Sequence, residues 1–486
     1  MPASRSTSAG AARVRRRART LAAAAGFAAL AALVPEARAV LTYDITLGAG
    51  VQANDNLYLD PKQPIRADAR LPVQETVFAL TPAVTLLWQE ERDRLQVLYN
   101  GEYWMFQGDE NLDPLWVNNF GANLAWRRWS PFFLEVKDLQ DRVPETQQLV
   151  DTAVVDMINR NQLLVRTGLS WDFWSRGTVE LAYRGELVAF PGAGAADRVE
   201  SHYGEGLYRY RWSPLVTSEM RAAYGQVSRE LSPDYDEMRV AATIDQRLSE
   251  RLSLRYGIEW IRDHQDASAA AGETTATWAA AVHDDLLLTA EIRGDLPRGG
   301  YWNIAYQDRQ EPRSDGDLLE AGRASARLAP RSRLGSSLDI DGWYEDRDYL
   351  YSGRREKAWG PVLVSRWMVA PWAAVDVRAD WTHTDIQDVG LPAVENRETR
   401  ASAGIAVLLF RHLQLEGGYQ FRENQSTDPE QSYTNNLFYA ALTYSFAPIL
   451  PGKLLPSQIS QVPVSALDAS NGPGAQGAVG GAATGR

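Results

Sequence analysis

Beyond residue 40, apolar and polar residues alternate with a period of two, in segments of about ten residues. In the first segment, the odd positions from Leu41 to Val51 are all apolar, and Thr, Asp, Thr, Gly and Gly stand between them. Successive side chains of a β-strand point to opposite faces, so each segment predicts a strand with one apolar face. A tilted strand of this length spans a lipid bilayer. The pattern recurs in segments beginning at Leu95, Leu163, Leu252, Val375 and Leu413.

The connections between these segments alternate between short turns and long polar loops. Short turns include Gln89–Asp93, Phe173–Gly177 and Ser249–Arg251, and the long loops are predicted at Asn54–Gln74, Asp138–Asn161, Arg262–Glu273, Glu345–Lys357, Thr382–Asn396 and Glu423–Gln431. Outer-membrane barrels have short periplasmic turns and long outer loops. The pattern therefore predicts an all-β fold, a transmembrane antiparallel up-and-down β-barrel whose first strand runs outward.

The number of strands depends on residues 274–293, which fit either a hairpin or one long strand. The apolar residues of this region share even parity, and one strand restores the alternation of turn lengths. This choice gives about 20 strands, with 18 as the alternative, and an even number keeps both chain ends in the periplasm.

A soluble β-sandwich also alternates apolar and polar residues. The aromatic residues argue against it, because rings at the apolar parity near strand ends form the girdles of membrane barrels. These rings are Trp88, Trp126, Trp171, Trp212, Trp260, Trp381, Phe421 and Phe446. The opposite face carries charges in mid-strand, so the apolar face is expected to meet lipid and the polar face a lumen.

Residues 1–39 have the features of a signal peptide: a basic head, an apolar core from Leu21 to Val34, and a small-residue cleavage motif at Ala37-Arg38-Ala39. Removing the seven Arg and one Glu of this segment takes the formal net charge from −12 to −18. Binding to nucleic acid requires a basic face, so it is not expected. The chain has no Cys, which excludes disulfides and thiol chemistry.

The barrel is predicted to occupy residues 40–446 and to end in a strand that closes with Leu442-Thr443-Tyr444-Ser445-Phe446. This ending looks like the C-terminal signal that the barrel assembly machinery of bacterial outer membranes reads. Residues 447–486 are rich in Pro, Gly, Ala and Ser without periodicity, and they predict a disordered periplasmic tail. The predicted location is the outer membrane of a Gram-negative bacterium, with outer-membrane lipid as a partner.

Several residues at polar parity are candidates for lining the lumen: Glu102, Trp104, Phe106, Phe133, Arg166, Arg184, Arg255, Glu259, Trp343, Arg378 and Arg400. The charged members predict either a transport path for a polar substrate or a solvated wall whose charges pair across strands. The aromatic members predict either stacking on sugar rings or packing inside the wall. A register slip of one residue would exchange the faces.

We find no arrangement typical of catalysis or metal binding. The five His are scattered and lack metal-ligand spacing, and no nucleophile elbow or HExxH motif occurs. The acidic groups around Asp236 and Asp346 lack the ordered ligand spacing of a calcium loop. We therefore expect neither an enzyme nor a bound metal or cofactor.

The amphipathic first strand followed by Asn54-Asp55-Asn56-Leu57-Tyr58 resembles the opening of the β-barrel porin type 2 family. The resemblance covers roughly residues 40–446, and it implies an outer-membrane barrel associated with exopolysaccharide or capsule secretion. It also implies a periplasmic polysaccharide export protein as a partner. Three functions remain open: a passage for a secreted polar polymer, a general diffusion porin for small solutes, and a structural barrel that docks a periplasmic export partner.

Overall fold

The computed structural model describes residues 40–56, 74–90, 92–107, 114–127, 129–144, 157–190, 198–230, 234–265, 281–312, 318–332, 336–350, 352–449 and 454–455. The predicted signal peptide, most of the predicted tail and residues 274–280 lie outside these ranges. The described residues form 20 strands: β1 Val40–Asn54, β2 Glu75–Gln89, β3 Arg94–Phe106, β4 Leu115–Trp126, β5 Phe132–Pro144, β6 Met157–Phe173, β7 Gly177–Ala189, β8 Val199–Ser213, β9 Val216–Arg229, β10 Tyr235–Ser249, β11 Leu252–Gln265, β12 Ala281–Asp295, β13 Tyr301–Pro312, β14 Leu318–Ala329, β15 Ser337–Tyr349, β16 Arg355–Ala370, β17 Ala373–Gln387, β18 Val394–Phe410, β19 Leu413–Ser426 and β20 Tyr433–Ser445.

Each strand pairs antiparallel with its neighbours in the chain, and β1 pairs with β20 to close the sheet into a barrel. The closing ladder runs from Thr46 opposite Ser445 to Asn54 opposite Leu437. Closure satisfies the backbone groups of both terminal strands and leaves no free sheet edge in the membrane. The prediction of a 20-stranded up-and-down barrel is confirmed. Among the described residues, no helix is long and apolar enough to cross a membrane.

The two faces of the sheet differ in chemistry, as the period of two predicts. Large apolar side chains are exposed on the outer face, including Leu181 at 56% and Leu286 at 52% exposure. Two levels of outward aromatic rings bound this apolar band. In β16 they are Trp359 and Trp367, which are separated by about 26 Å along the strand and less along the tilted barrel axis. At a strand tilt of about 40° the height along the axis is about 20 Å, which is close to the apolar band of about 25 Å in outer-membrane barrels.

Several segments predicted as loops are strands in the structure. The predicted loop Glu345–Lys357 falls largely within β15 and β16, and Thr382–Asn396 falls largely within β17 and β18. These loop predictions are wrong because the ladder continues above the membrane, where both faces meet water and the apolar period disappears. The hydrogen bonds between strands persist there, although the strands no longer have an apolar face. The barrel therefore extends beyond the outer aromatic level as a polar collar.

Candidate functional site in the lumen wall

The register places all eleven predicted lumen residues on the face opposite the exposed apolar band. They come from strands all around the barrel: Glu102, Trp104 and Phe106 from β3, Phe133 from β5, Arg166 from β6, Arg184 from β7, Arg255 and Glu259 from β11, Trp343 from β15, Arg378 from β17 and Arg400 from β18. The structure brings two of the charged residues, Arg166 and Arg184, to one shared carboxylate. Arg378 and Arg400 likewise share the carboxylate of Asp380, at 3.1 and 4.0 Å, and the other charged residues lie apart along the wall.

The most connected cluster lies on β5–β8 and is centred on Arg166. Its guanidinium contacts Glu180 at 2.8 Å, Glu205 at 2.9 Å and Glu135 at 3.4 Å. The side chains of Glu180 and Glu205 are only 7% and 3% exposed. Arg184 also contacts Glu205, at 3.2 Å. Because one guanidinium joins three carboxylates from different strands, it ties four neighbouring strands together on the lumen side.

A second cluster lies nearer the extracellular end, on β13–β16, and is centred on Glu345. Arg347 and Arg309 contact its carboxylate at 2.6 and 2.8 Å, and Arg323 at 3.7 Å. Arg347 also reaches Glu356 at 3.6 Å, and both of these side chains are almost fully buried. Because three guanidinium groups already surround this carboxylate, its oxygens cannot join the ordered set of oxygen ligands that calcium requires. The group near Asp346, weighed for ion binding from the sequence, is instead split between the two faces of β15.

A third cluster lies on β17–β20 around Glu398. Arg400 donates to both of its oxygens at 3.0 Å, and Arg422 contacts it at 3.6 Å. The Tyr433 hydroxyl donates to the same carboxylate at 3.0 Å. Arg378, by contrast, pairs with the neighbouring carboxylate of Asp380 at 3.1 Å. In each cluster the positive and negative charges compensate one another inside the wall.

The predicted aromatic residues differ in how deeply their rings are buried in the wall. Phe133 is 1% exposed and lies beneath two guanidinium groups, with Arg166 at 4.9 Å and Arg127 at 5.4 Å from its ring centre. Trp104 is 7% exposed and donates its indole N–H to Glu102 at 3.0 Å. These two rings are packed into the wall and have no free face for a sugar. Phe106 and Trp343 are half-buried and present more surface to the lumen.

Arg255 and Glu259 lie where the wall is more open. Arg255 pairs with Asp245 at 3.4 Å, with side-chain exposures of 34% and 54%. Glu259 is 34% exposed and contacts Arg239 at 3.6 Å. Exposed pairs of this kind contribute little to stability. They offer hydrogen-bond donors and acceptors to whatever occupies the bore.

Three residues of these clusters were not predicted from the sequence. Glu205, Tyr203 and Arg422 complete the clusters, and all three have lumen parity in strands that alternate regularly. Their parity was a usable signal for facing the lumen. Their partners were not predictable, because contacts such as that of Arg166 with Glu205 skip a strand and depend on the register and curvature of the barrel.

The chain returns to the lumen wall after β20. Leu454 is buried against Met368, Ala374 and Ala406 at the periplasmic end of the barrel. The side chain of Gln414 donates to the carbonyl oxygen of Leu455 at 2.9 Å and accepts from its N–H at 2.9 Å.

The adjacent guanidinium of Arg366 donates to the carbonyl oxygens of Leu454 and Leu455, each at 3.3 Å. The start of the predicted periplasmic tail is thus held against β16–β19 on the lumen side. The rest of that tail lies outside the described residues.

Comparisons with known proteins found similar solved structures at low sequence identity. No family model and no curated protein matches the chain. Similar solved structures include the ferric-catecholate import receptor Fiu from E. coli K12, with 10% identity over 83% of this chain and 82% of that one and a TM-score of 0.42. The copper transporter OprC has 10% identity over 85% and 81% of the two chains and a TM-score of 0.45.

A BenF-like porin from Pseudomonas fluorescens Pf-5 has 10% identity over 84% of this chain and 99% of that one, with a TM-score of 0.41. The location follows from the wall itself. A closed barrel with an apolar exterior, aromatic levels at both boundaries and a charged interior is stable only where lipid surrounds it. The chain is an outer-membrane β-barrel of a Gram-negative bacterium.

Proposed function

We propose that the barrel forms the outer-membrane passage for a secreted polar polymer, with exopolysaccharide or capsule as the substrate class. The observation that carries the proposal is the compensation of charge on the lumen wall. Arg166, Glu345 and Glu398 each sit among partners of opposite sign. Such a wall offers many hydrogen-bond donors and acceptors, and it does not create an electrostatic field of a single sign.

A compensated wall suits a hydroxyl-rich chain better than a small ion. Selective pores present rings of charge of one sign to their substrate. In the three clusters each Arg already binds a carboxylate, so its remaining donors can form weak, replaceable hydrogen bonds with passing hydroxyl groups. The half-buried rings of Phe106 and Trp343 add flat apolar surface. Weak contacts at many positions allow a long chain to slide.

The resemblance of the first strand and Asn54-Asp55-Asn56 to the β-barrel porin type 2 family supports the same substrate class. It also supports a periplasmic polysaccharide export protein as a partner. Insertion by the barrel assembly machinery is proposed from the terminal aromatic of the last strand, Phe446. The segment at Leu454 lies at the periplasmic end, where such a partner would meet the barrel.

A general diffusion porin for small solutes is the main alternative, since a polar lumen also admits small solutes. Two measurements separate these functions. Deletion of the gene should abolish surface polysaccharide and leave polymer in the periplasm, with recovery when the wild-type gene is restored. Unchanged export would overturn the proposal, and a large ungated conductance of the purified barrel in planar bilayers would favour the porin. A structural docking barrel would retain export when the lumen is blocked by bulky substitutions.

A further inference from the structure

The outer face of β16–β19 carries a pocket that the proposed passage does not use. It has a volume of about 440 Å³ and is lined by Trp359, Trp381, His383, Arg397, Thr399 and Gln425. All six residues have outward parity, so the pocket opens toward the membrane and away from the lumen. Its ligand must therefore come from the lipid side or from the extracellular surface.

The pocket lies at the level where three neighbouring strands change from apolar to ionisable on their outer faces. In β17 the outward residues run from Val377 and Ala379 to Trp381, and then to His383. In β18 they change at the same height, from Ala401 to Thr399 and then Arg397. Since aromatic rings mark the boundary of the apolar band, the pocket lies at the depth of the lipid headgroups in the outer leaflet.

Two Trp side chains form a preset shelf on one side of the pocket. The rings of Trp359 and Trp381 meet edge to face with centres 4.7 Å apart, and the His383 ring stacks on Trp381 at 6.1 Å. Gly360 lets the backbones of β16 and β17 approach closely beside these rings, because a Cβ at that position would clash with the carbonyl oxygen of Trp381. Flat indole surfaces at a polar boundary can pack against the apolar face of a sugar ring.

Arg397 supplies the positive charge beside this shelf. Its contact with Glu395 is long, at 3.8 Å, and its side chain is 58% exposed. Arg262 on β11 is also an outward Arg beside a Trp, but Asp284 holds its guanidinium at 2.6 and 2.9 Å. The guanidinium of Arg397 therefore retains more capacity for a phosphate, for which its planar donors are well suited.

Carboxylates also rim the pocket. Asp385 and Glu395 are directly opposite each other, and their oxygens lie with a nitrogen of His383 within 4.8 Å of one another. His383 contacts Asp385 at 3.0 Å, and Lys357 is opposite Asp385 on the other side. Lys357 and Arg397 together match the charge of the two carboxylates, and of these two cations Arg397 is the one that lines the pocket beside the Trp side chains.

We propose that this pocket binds the phosphorylated sugar headgroup of an outer-leaflet glycolipid. The sugar packs on Trp359 and Trp381, and its phosphate pairs with Arg397. Acyl chains attached to the headgroup then lie along the apolar band below Trp381. This site anchors a lipid to the outside of the wall and is independent of what passes through the lumen.

The test uses the purified barrel in detergent, titrated with lipid A and measured by native mass spectrometry. Buffer containing EDTA removes binding that divalent cations bridge through Asp385 and Glu395. Arg397→Ala should weaken lipid A binding about tenfold, the usual worth of a charge-assisted hydrogen bond, whereas the matched variant Arg262→Ala should change it less than about twofold. Phosphatidylglycerol has a phosphate but no sugar ring for the two Trp side chains, so it should bind the wild type more weakly than lipid A does.

Equal losses for Arg397→Ala and Arg262→Ala would overturn the proposal, as would equal affinity of the wild type for lipid A and phosphatidylglycerol. Glucosamine 1-phosphate, a soluble phosphorylated sugar, is the second probe. We expect it to compete with lipid A only at much higher concentration, since it lacks the acyl chains. Complete competition at equal concentration would show a site for a free sugar phosphate and contradict the lipid assignment.

Discussion

Replacing Arg166 by Leu tests the lumen clusters most sharply. The substitution leaves Glu135, Glu180 and Glu205 without their shared cation, and two of these carboxylates are less than 10% exposed. Removing one partner of a buried ion pair costs about 3–5 kcal/mol. We expect the lower end, about 3 kcal/mol, because Arg184 still contacts Glu205 at 3.2 Å. Arg127 also still contacts Glu180, at 3.5 Å.

The matched control is Arg255→Leu, which removes the half-exposed pair with Asp245. Exposed pairs contribute about 0–1 kcal/mol, so this variant should unfold almost like the wild type. The assay is urea-induced unfolding of the barrel refolded into lipid vesicles, followed by the loss of the heat-modifiable band on gels. If both variants lose the same stability, the lumen wall is wetter and looser than the distances imply, and the reasoning fails.

Three further predictions concern other parts of the wall. Leu288→Arg places a cation on the lipid face near mid-membrane and should cost about 2–4 kcal/mol of folding free energy in vesicles, whereas Thr289→Arg, which faces the lumen, should cost less than half as much. Phe133→Ala should cost about 3 kcal/mol by the same assay, because the ring is buried beneath two guanidinium groups. A Leu454→Cys variant should react slowly with a water-soluble maleimide, and adding Gln414→Ala should speed the reaction severalfold; equal rates would show that the segment is not held in the lumen.

Much of the barrel was predictable because a strand between lipid and a polar lumen must alternate apolar and polar side chains. The alternation in Leu41–Val51 correctly assigned the outer face, and the even parity of residues 282–292 identified β12 as one strand. The same rule placed Arg166 and Trp343 on the lumen side. The face on which a residue lies follows from the period of two alone, so it can be predicted without knowing which strands are neighbours in space.

Above the membrane both faces of a strand meet water, so apolar and polar side chains no longer alternate. The loops predicted there were wrong. Glu345 looked like a loop residue because polar residues occupy both faces of β15 at that height. The contact of Glu345 with Arg309 skips a strand, and the hydrogen bonds of Gln414 to Leu455 join residues 41 apart. Such contacts depend on strand register, barrel curvature and the path of the chain after β20, none of which leaves a local pattern.

Spin-label scanning of β11 tests the central claim most directly. The chain has no Cys, so single Cys variants at residues 254–260 can each carry one nitroxide in vesicles. Leu254, Tyr256, Ile258 and Trp260 should be accessible to oxygen, which concentrates in lipid, and the positions between them should be accessible to a water-soluble nickel chelate. An accessibility profile without a period of two, or water contact at every position, would contradict a lipid-facing exterior around a polar lumen.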